Sequence, residues 1–375
     1  MHFSLSLAAF LAAPLTLAAP ATVNAKAVGR LFSLNGTVTY FAGTNAWWLG
    51  HLTEDADVDT AMSEIAASQE KVVRVWGFGN SNVNDTSSVY YQLINETLPG
   101  LHTEINYGSN GIGRLDSVVA SAEKYSIGLV LPMLNNWDDL GGINTYCAVF
   151  GCNETTFYTN TDAQAAYKNY VKFIVQRYQS STAVFAWELC NEPRCHGCNS
   201  SVIYEWASDI SEYIKSLDSS HMVALGDEGW LCSGGDGYAY SCGEGVDFAL
   251  NLEIPTLDYG TFHLYPDTWG YNESWGNTWI LDHDAVGKAS GKPIVLEEFG
   301  ALQNMTYYES QWQETVLTET EIAADQFWQF ASPDLSSGTD LGDDYSITYG
   351  TQQYQVIGTS HAEKMLAKNV SKTDD

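Results

Sequence analysis

Apolar positions along this chain fall into two alternating patterns. Short β-prone runs occur at 38–45 (VTYFAGTN), 71–78 (KVVRVWGF), 127–134 (IGLVLPML) and 183–189 (AVFAWEL). Further runs follow at 221–226 (HMVALG), 259–265 (YGTFHLY), 293–298 (PIVLEE) and 325–330 (DQFWQF). Between them, stretches with helical spacing and acid-rich starts occupy 55–68, 111–125, 161–179, 200–218, 275–290, 306–323 and 360–369. Strands alternating with helices predict parallel strands joined by helical crossovers. Eight such units predict an α/β fold of the (β/α)8 TIM barrel type, with some long loops. A doubly wound open sheet is the structural alternative. It normally carries a Gly-rich phosphate turn after its first strand, and FAGTNAWW at 41–48 is not one.

The first residues, MHFSLSLAAFLAAPLTLAAPATVNAK, carry no Lys or Arg before an apolar stretch that ends in small residues. This pattern resembles a secretory signal peptide over 1–19, with cleavage expected between 18 and 25. Residues 26–375 are then expected to form one catalytic barrel domain, because no linker, repeat or low-complexity tract divides them. No other apolar run approaches the ~18–20 residues of a membrane span. Eight N-x-S/T sequons follow, at Asn35, Asn84, Asn95, Asn153, Asn199, Asn272, Asn304 and Asn369, and they support a secretory route to an extracellular protein.

With 46 acidic residues against 16 Lys and Arg, the net charge of −30 argues against nucleic acid or an anionic membrane as a partner. A monomer acting on an uncharged or cationic substrate is expected. In an oxidising compartment the seven cysteines suggest three short bridges, 147–152, 195–198 and 232–242, leaving Cys190 over in the apolar run AVFAWELC. Cys195-His196-Gly197-Cys198 also allows a metal or redox reading. A zinc site wants a second close pair of ligands, and none is obvious, so no metal and no cofactor are expected.

In a (β/α)8 barrel the reacting groups come from the C-terminal ends of strands. Those ends supply Arg74 and Trp76 (strand 2), Asn191 and Glu192 (strand 4), Glu228 (strand 5), His263 and Tyr265 (strand 6), Glu298 (strand 7) and Trp328 (strand 8). Two glutamates far apart in sequence, each just where a strand gives way to a loop, suit cleavage of a glycosidic bond. That reaction needs one carboxyl group to protonate the leaving oxygen and another to attack the sugar or activate water. Arg74 would hold Glu298 ionised, Tyr265 could donate a hydrogen bond to it, and Asn191 could bind the sugar 2-OH. Trp328 offers a face for the sugar ring, while Trp76, Trp137, Arg194 and Glu228 are candidate contacts for flanking sugars.

The motifs RVWGF (74–78), WELCNEP (187–193), HLYP (263–266), EEFG (297–300) and FWQF (327–330) resemble those of glycoside hydrolase family 5, over most of the chain. NEPRC and FHLYPDTWG look like its fungal endo-β-1,4-mannanase branch. The resemblance implies Glu192 as acid/base and Glu298 as nucleophile, with Arg74, Asn191, His263, Tyr265 and Trp328 in support. It implies a secreted, retaining enzyme for mannan, glucomannan and galactomannan. Many members place a histidine after strand 3, where this chain has Leu134-Asn135-Asn136-Trp137.

Each assignment has a plainer rival. Glu188 is expected inside the barrel as a structural acid. Glu297 and Glu298, as neighbours on a strand, are expected to point to opposite faces, so that only one enters the mouth. Trp137 suits loop packing as well as sugar binding. A β-1,4- or β-1,3-glucanase is the alternative within the family, and a non-catalytic sugar-binding barrel is the alternative outside it.

Overall fold

The computed structural model describes residues 24–338 and 343–370. The expected leader, residues 1–19, lies outside them. Eight strands form one sheet: β1 (Phe41–Asn45), β2 (Val72–Arg74), β3 (Gly128–Pro132), β4 (Val184–Glu188), β5 (Met222–Ala224), β6 (Gly260–Leu264), β7 (Ile294–Phe299) and β8 (Ala324–Phe327). The pairing is parallel throughout, in the order β5-β4-β3-β2-β1-β8-β7-β6. Hydrogen bonds beyond the strand ladder close the circle between β5 and β6. Asp258 N–H donates to the Val223 carbonyl at 2.8 Å, and His263 N–H to that of Glu228 at 3.1 Å. This is the expected (β/α)8 barrel. Every residue of these strands is buried, as a parallel sheet covered by helices on one face and filled by side chains on the other requires.

The crossovers are α1 (Asp55–Ala67), α2 (Gly113–Tyr125), α3 (Thr161–Tyr178), α4 (Ser201–Leu217), α5 (Trp275–Ser290) and α6 (Met305–Glu319), followed by α7 (His361–Ala367). Their ends obey local rules. The Asn160 side chain accepts from the Asp162 and Ala163 N–H groups and starts α3. Gly291, at φ +73°, ends α5 in the left-handed conformation that favours glycine. Between β5 and β6 stand a 3-10 turn, Tyr238–Tyr240, and a four-residue α-helix, Phe248–Asn251. The helix expected over 306–323 stops at Glu319, because 320–323 turns to feed β8.

Two parts of the fold carry no strong sequence pattern. A hairpin meander, Ala25–Val28, Leu31–Leu34 and Thr37–Thr39, covers the N-terminal end of the barrel. It takes up the start of the run expected as the first strand, which begins only at Phe41. Phe32 from this meander is fully buried, its ring 5.1–5.8 Å from Phe41, Phe185 and Tyr259 at the strand bases, so the barrel floor is sealed by aromatic packing. After β2, short strands Asn80–Ser81, Gln92–Ile94 and Thr103–Ile105 build a small side sheet.

Disulfides join Cys147 to Cys152, Cys195 to Cys198 and Cys232 to Cys242, the pairing expected from spacing. The bond between Cys195 and Cys198 uses both sulfurs, so neither is a zinc ligand. Cys190 is free and buried, and burial holds its thiol well above the ordinary range, which keeps it unreactive. Alkylation of denatured, unreduced protein is expected to mark Cys190 alone, and a label on Cys195 or Cys198 in the peptide map would refute the pairing.

Candidate active site

The strands deliver their polar ends to one face, and a cleft of about 740 Å³ opens there. Glu192, Glu298, Asn191, Tyr265, Trp76, Trp137, Arg194, Glu228 and Trp328 all line it. Arg74 and His263 lie just beneath, fully buried. The structure therefore gathers every residue that sequence reasoning proposed.

Arg74 is the hub. Its Nε and Nη2 grip both oxygens of Glu188 at 3.0 and 2.7 Å, Nη2 also donates to Asn191 Oδ1 at 2.7 Å, and Nη1 pairs with Glu298. Glu188 is thus a structural acid inside the barrel, as expected. Burial pushes it up to about 8, against the pull of Arg74. Tyr265 Oη donates to the other oxygen of Glu298 at 2.8 Å. Asn191 is held on its far side by Asn135, whose Oδ1 accepts from Asn191 Nδ2 at 3.0 Å. Asn135 stands in the strand-3 segment that departs from the common family pattern.

One geometric expectation needs correction. Glu297 and Glu298 do not part to opposite faces. Glu297 lies 3.6 Å from Arg74 and 3.5 Å from His263, inside the barrel with Glu298. The cause is an irregularity in the β6–β7 pairing, where Phe262 faces Leu296 but His263 faces Glu298, leaving Glu297 as the extra residue. Such a bulge re-aims side chains. Only Glu298 reaches the cleft, and Glu297 stays sealed below it.

Glu192 follows β4 at φ +51°, a left-handed conformation uncommon for glutamate, which turns its carboxyl over the mouth. His263 Nδ1 lies 2.7 Å from its Oε1, and the Trp137 indole donates to its Oε2 at 2.6 Å. Trp137 is 41% exposed, so it is a cleft residue and not loop filling. Arg194 lies over the Trp137 ring at 4.8 Å and binds Glu228 through two contacts of 2.6 Å. Glu228 is pushed up to about 8 by burial and by Glu192. On the Glu298 side, Trp76 sits 4.8 Å from the Arg74 guanidinium, with Trp328 a further 5.8 Å away.

Burial and mutual charge shift the three titratable groups of this cluster. Burial raises Glu192, but the hydrogen bond and charge of His263, then Arg194 and Trp137, outweigh it and bring it down to about 2. Burial pushes Glu298 up, opposed by His263 and Arg74. Burial lowers His263, yet Glu298, Glu192 and Glu297 surround it and lift it well above its ordinary value. His263 Nδ1 thus stands at hydrogen-bond distance from Glu192 and close to Glu298, and the three groups titrate as one coupled cluster.

An oxygen of Glu192, His263 Nδ1 and an oxygen of Glu298 all lie within 4.8 Å of one another. Oxygens this near to one another suit the ~5–5.5 Å carboxyl pairs that act by covalent attack better than the ~6.5–9.5 Å pairs that leave room for a water. Sequence reasoning missed Trp47, Trp269, Tyr238, Asp343 and Tyr345, which also line the cleft. Trp269 stood in view within FHLYPDTWG. Trp47 stood within FAGTNAWW and opens a short 3-10 helix, Tyr238 opens another, and Asp343 and Tyr345 lie in a loop, where no periodicity marks them.

The family model for GH family 5 beta-mannosidase-like proteins matches residues 23–348. The chain is 48% identical over 337 residues to mannan endo-1,4-beta-mannosidase A of Hypocrea jecorina, covering 89% of this chain and 76% of that one. It is also 48% identical to mannan endo-1,4-beta-mannosidase A of Aspergillus aculeatus, covering 91% and 90%. The crystal structure of the endo-1,4-beta-mannanase from Rhizomucor miehei superimposes with a TM-score of 0.83 at 34% identity, over 92% of this chain and 99% of that one. Its motifs, its barrel and these relatives together make the chain a member of glycoside hydrolase family 5.

Proposed function

We propose that this chain is a secreted, retaining endo-β-1,4-mannanase that cuts internal bonds of mannan, glucomannan and galactomannan. The observation that carries the mechanism is the close approach of Glu192 and Glu298 in an open cleft with aromatic surface beside each. Relatives of this similarity are named for mannan, which supports the substrate. Residues 26–375 act as one catalytic domain behind a cleaved leader, and the working unit is a monomer. Among the described residues no helix is long and apolar enough to cross a membrane.

In this reading Glu298 attacks the anomeric carbon while Glu192 delivers a proton to the departing glycosidic oxygen and is left as a carboxylate. The bond to oxygen breaks as the bond to Glu298 forms. Water then attacks the glycosyl–enzyme ester, Glu192 takes its proton, and Glu298 leaves as carboxylate. Arg74 and Tyr265 stabilise the carboxylate that leaves. Asn191, fixed between Arg74 and Asn135, meets the 2-hydroxyl, where the hydrogen bond strengthens in the transition state.

The test sets mannan beside carboxymethylcellulose, and mannohexaose beside cellohexaose. Mannohexaose is expected to show the higher kcat/KM, because a site built around one hydroxyl leaves polar groups unpaired when that hydroxyl points elsewhere. Early products, read by proton NMR, are expected to be β-configured. A ratio below one would move the protein to the glucanase reading, and α-sugar appearing first would overturn the two-step mechanism. No hydrolysis of either polymer would leave a sugar-binding barrel.

A further inference from the structure

The indole of Trp328 leaves the end of β8 and borders the cleft, only half-buried, so packing alone does not fix its plane. Its Nε1–H donates to Asp343 Oδ2 at 2.6 Å. An indole N–H has no other hydrogen-bonding capacity, and a carboxylate is the stronger kind of acceptor for it. The second oxygen of Asp343 accepts the Tyr345 N–H at 3.0 Å, which folds the segment into a tight turn. Tyr345 then lies against Gly300, where an added Cβ would stand 2.5 Å from Tyr345 Cδ1. Absence of a side chain at Gly300 is thus what admits Tyr345. From there the Tyr345 ring meets that of Tyr265 at 5.3 Å and 64°. Residues 343–345 therefore reach both the tryptophan of the cleft wall and the tyrosine that holds Glu298.

We infer that Asp343 is a positioning residue, which selects one orientation of the Trp328 indole and presents its face to the sugar ring. The inference rests on the proposed reading of the cleft as a mannan-cleaving site. Without the carboxylate, the half-buried indole is free to rotate about its side-chain bonds, and substrate binding must supply the ordering. A platform that stacks equally in the ground and transition states acts on KM more than on kcat.

The experiment is a double-mutant cycle on mannotetraose with Asp343→Ala, Trp328→Phe and the double variant, thermal unfolding being recorded for each. Phenylalanine keeps an aromatic face but has no N–H to hold. Asp343→Ala is expected to cost about tenfold in kcat/KM, mostly through KM, with the unfolding temperature unchanged. In the Trp328→Phe background the same change is expected to cost no more than about twofold. Equal losses in both backgrounds would overturn the inference, and so would wild-type kinetics in Asp343→Ala. Should Asp343→Ala fail to fold, Asp343→Asn serves in its place, since it removes the charge and one of the two acceptor oxygens that Trp328 and Tyr345 use. Failure of the parent protein to cleave mannotetraose or mannan would refute the reading of the site, whereas additive losses in an active parent refute only the role of Asp343.

Discussion

Glu298→Gln and Glu192→Gln are each expected to lower turnover on mannan by about a thousandfold or more, with the fold intact. Neither change alters side-chain volume. Glu298→Gln leaves Arg74 paired with Glu188 and close to Glu297, and Glu192→Gln keeps an acceptor for Trp137. Binding is expected to survive better than rate, since both carboxyl groups exert their effect mainly in the transition state. An activated substrate separates the two roles. A dinitrophenyl glycoside has a leaving group that needs no proton, so its first step is expected to remain fast in Glu192→Gln, with a burst of phenolate followed by slow turnover. Glu298→Gln has no nucleophile and should show no burst. Near-wild-type hydrolysis of mannan by either variant would remove that residue from the mechanism.

The contrast between what was and was not legible in the sequence follows from burial. The barrel strands announce themselves because they are covered on both sides, which leaves runs such as IGLVLPML without a polar interruption. Their helices show because one face packs and the other is wet. The floor meander consists of three- and four-residue strands with mixed burial, too short for a period to register. The acids were found from their place after β4 and within β7, a signal of topology more than of residue type. What lies between elements stayed hidden. The spacing gives no hint that Glu297 turns inward at a bulge, since two-residue alternation assumes an unbroken ladder. Nor does it link Trp137 to Glu192, or Asp343 to Trp328, because loop geometry decides those contacts. Nor does it show that His263 stands among three glutamates, which raise its pKa against the effect of burial.

Arg74→Met is expected to be the most damaging single change to the fold, costing about 3–5 kcal/mol at neutral pH. Methionine fills much of the space, but the guanidinium is fully buried and contacts Glu188, Glu297, Glu298, Asn45 and Asn191. Its removal leaves three carboxyl groups in the core with His263 as the remaining cation beside them, and the cheapest response is protonation. The sign of the pH dependence follows. Carboxyl groups whose folded-state pKa is raised above the unfolded value bind more protons in the native state, so stability falls as pH rises through that interval. Glu188 already stands at about 8 with Arg74 present, and losing Arg74 raises it and its neighbours further. The stability gap between wild type and Arg74→Met, measured by urea unfolding, should therefore be wider at pH 8 than at pH 5. Arg74→Lys keeps the charge without the planar fork that binds Glu188 through two nitrogens, and an intermediate loss is expected. Activity is expected to fall at least about a hundredfold in Arg74→Met even where the protein is folded, because Glu298 loses its ion pair and Asn191 its anchor. A loss below about 1 kcal/mol at pH 8, or a gap that widens toward acid, would show that the buried carboxyl groups do not depend on Arg74 for their charge.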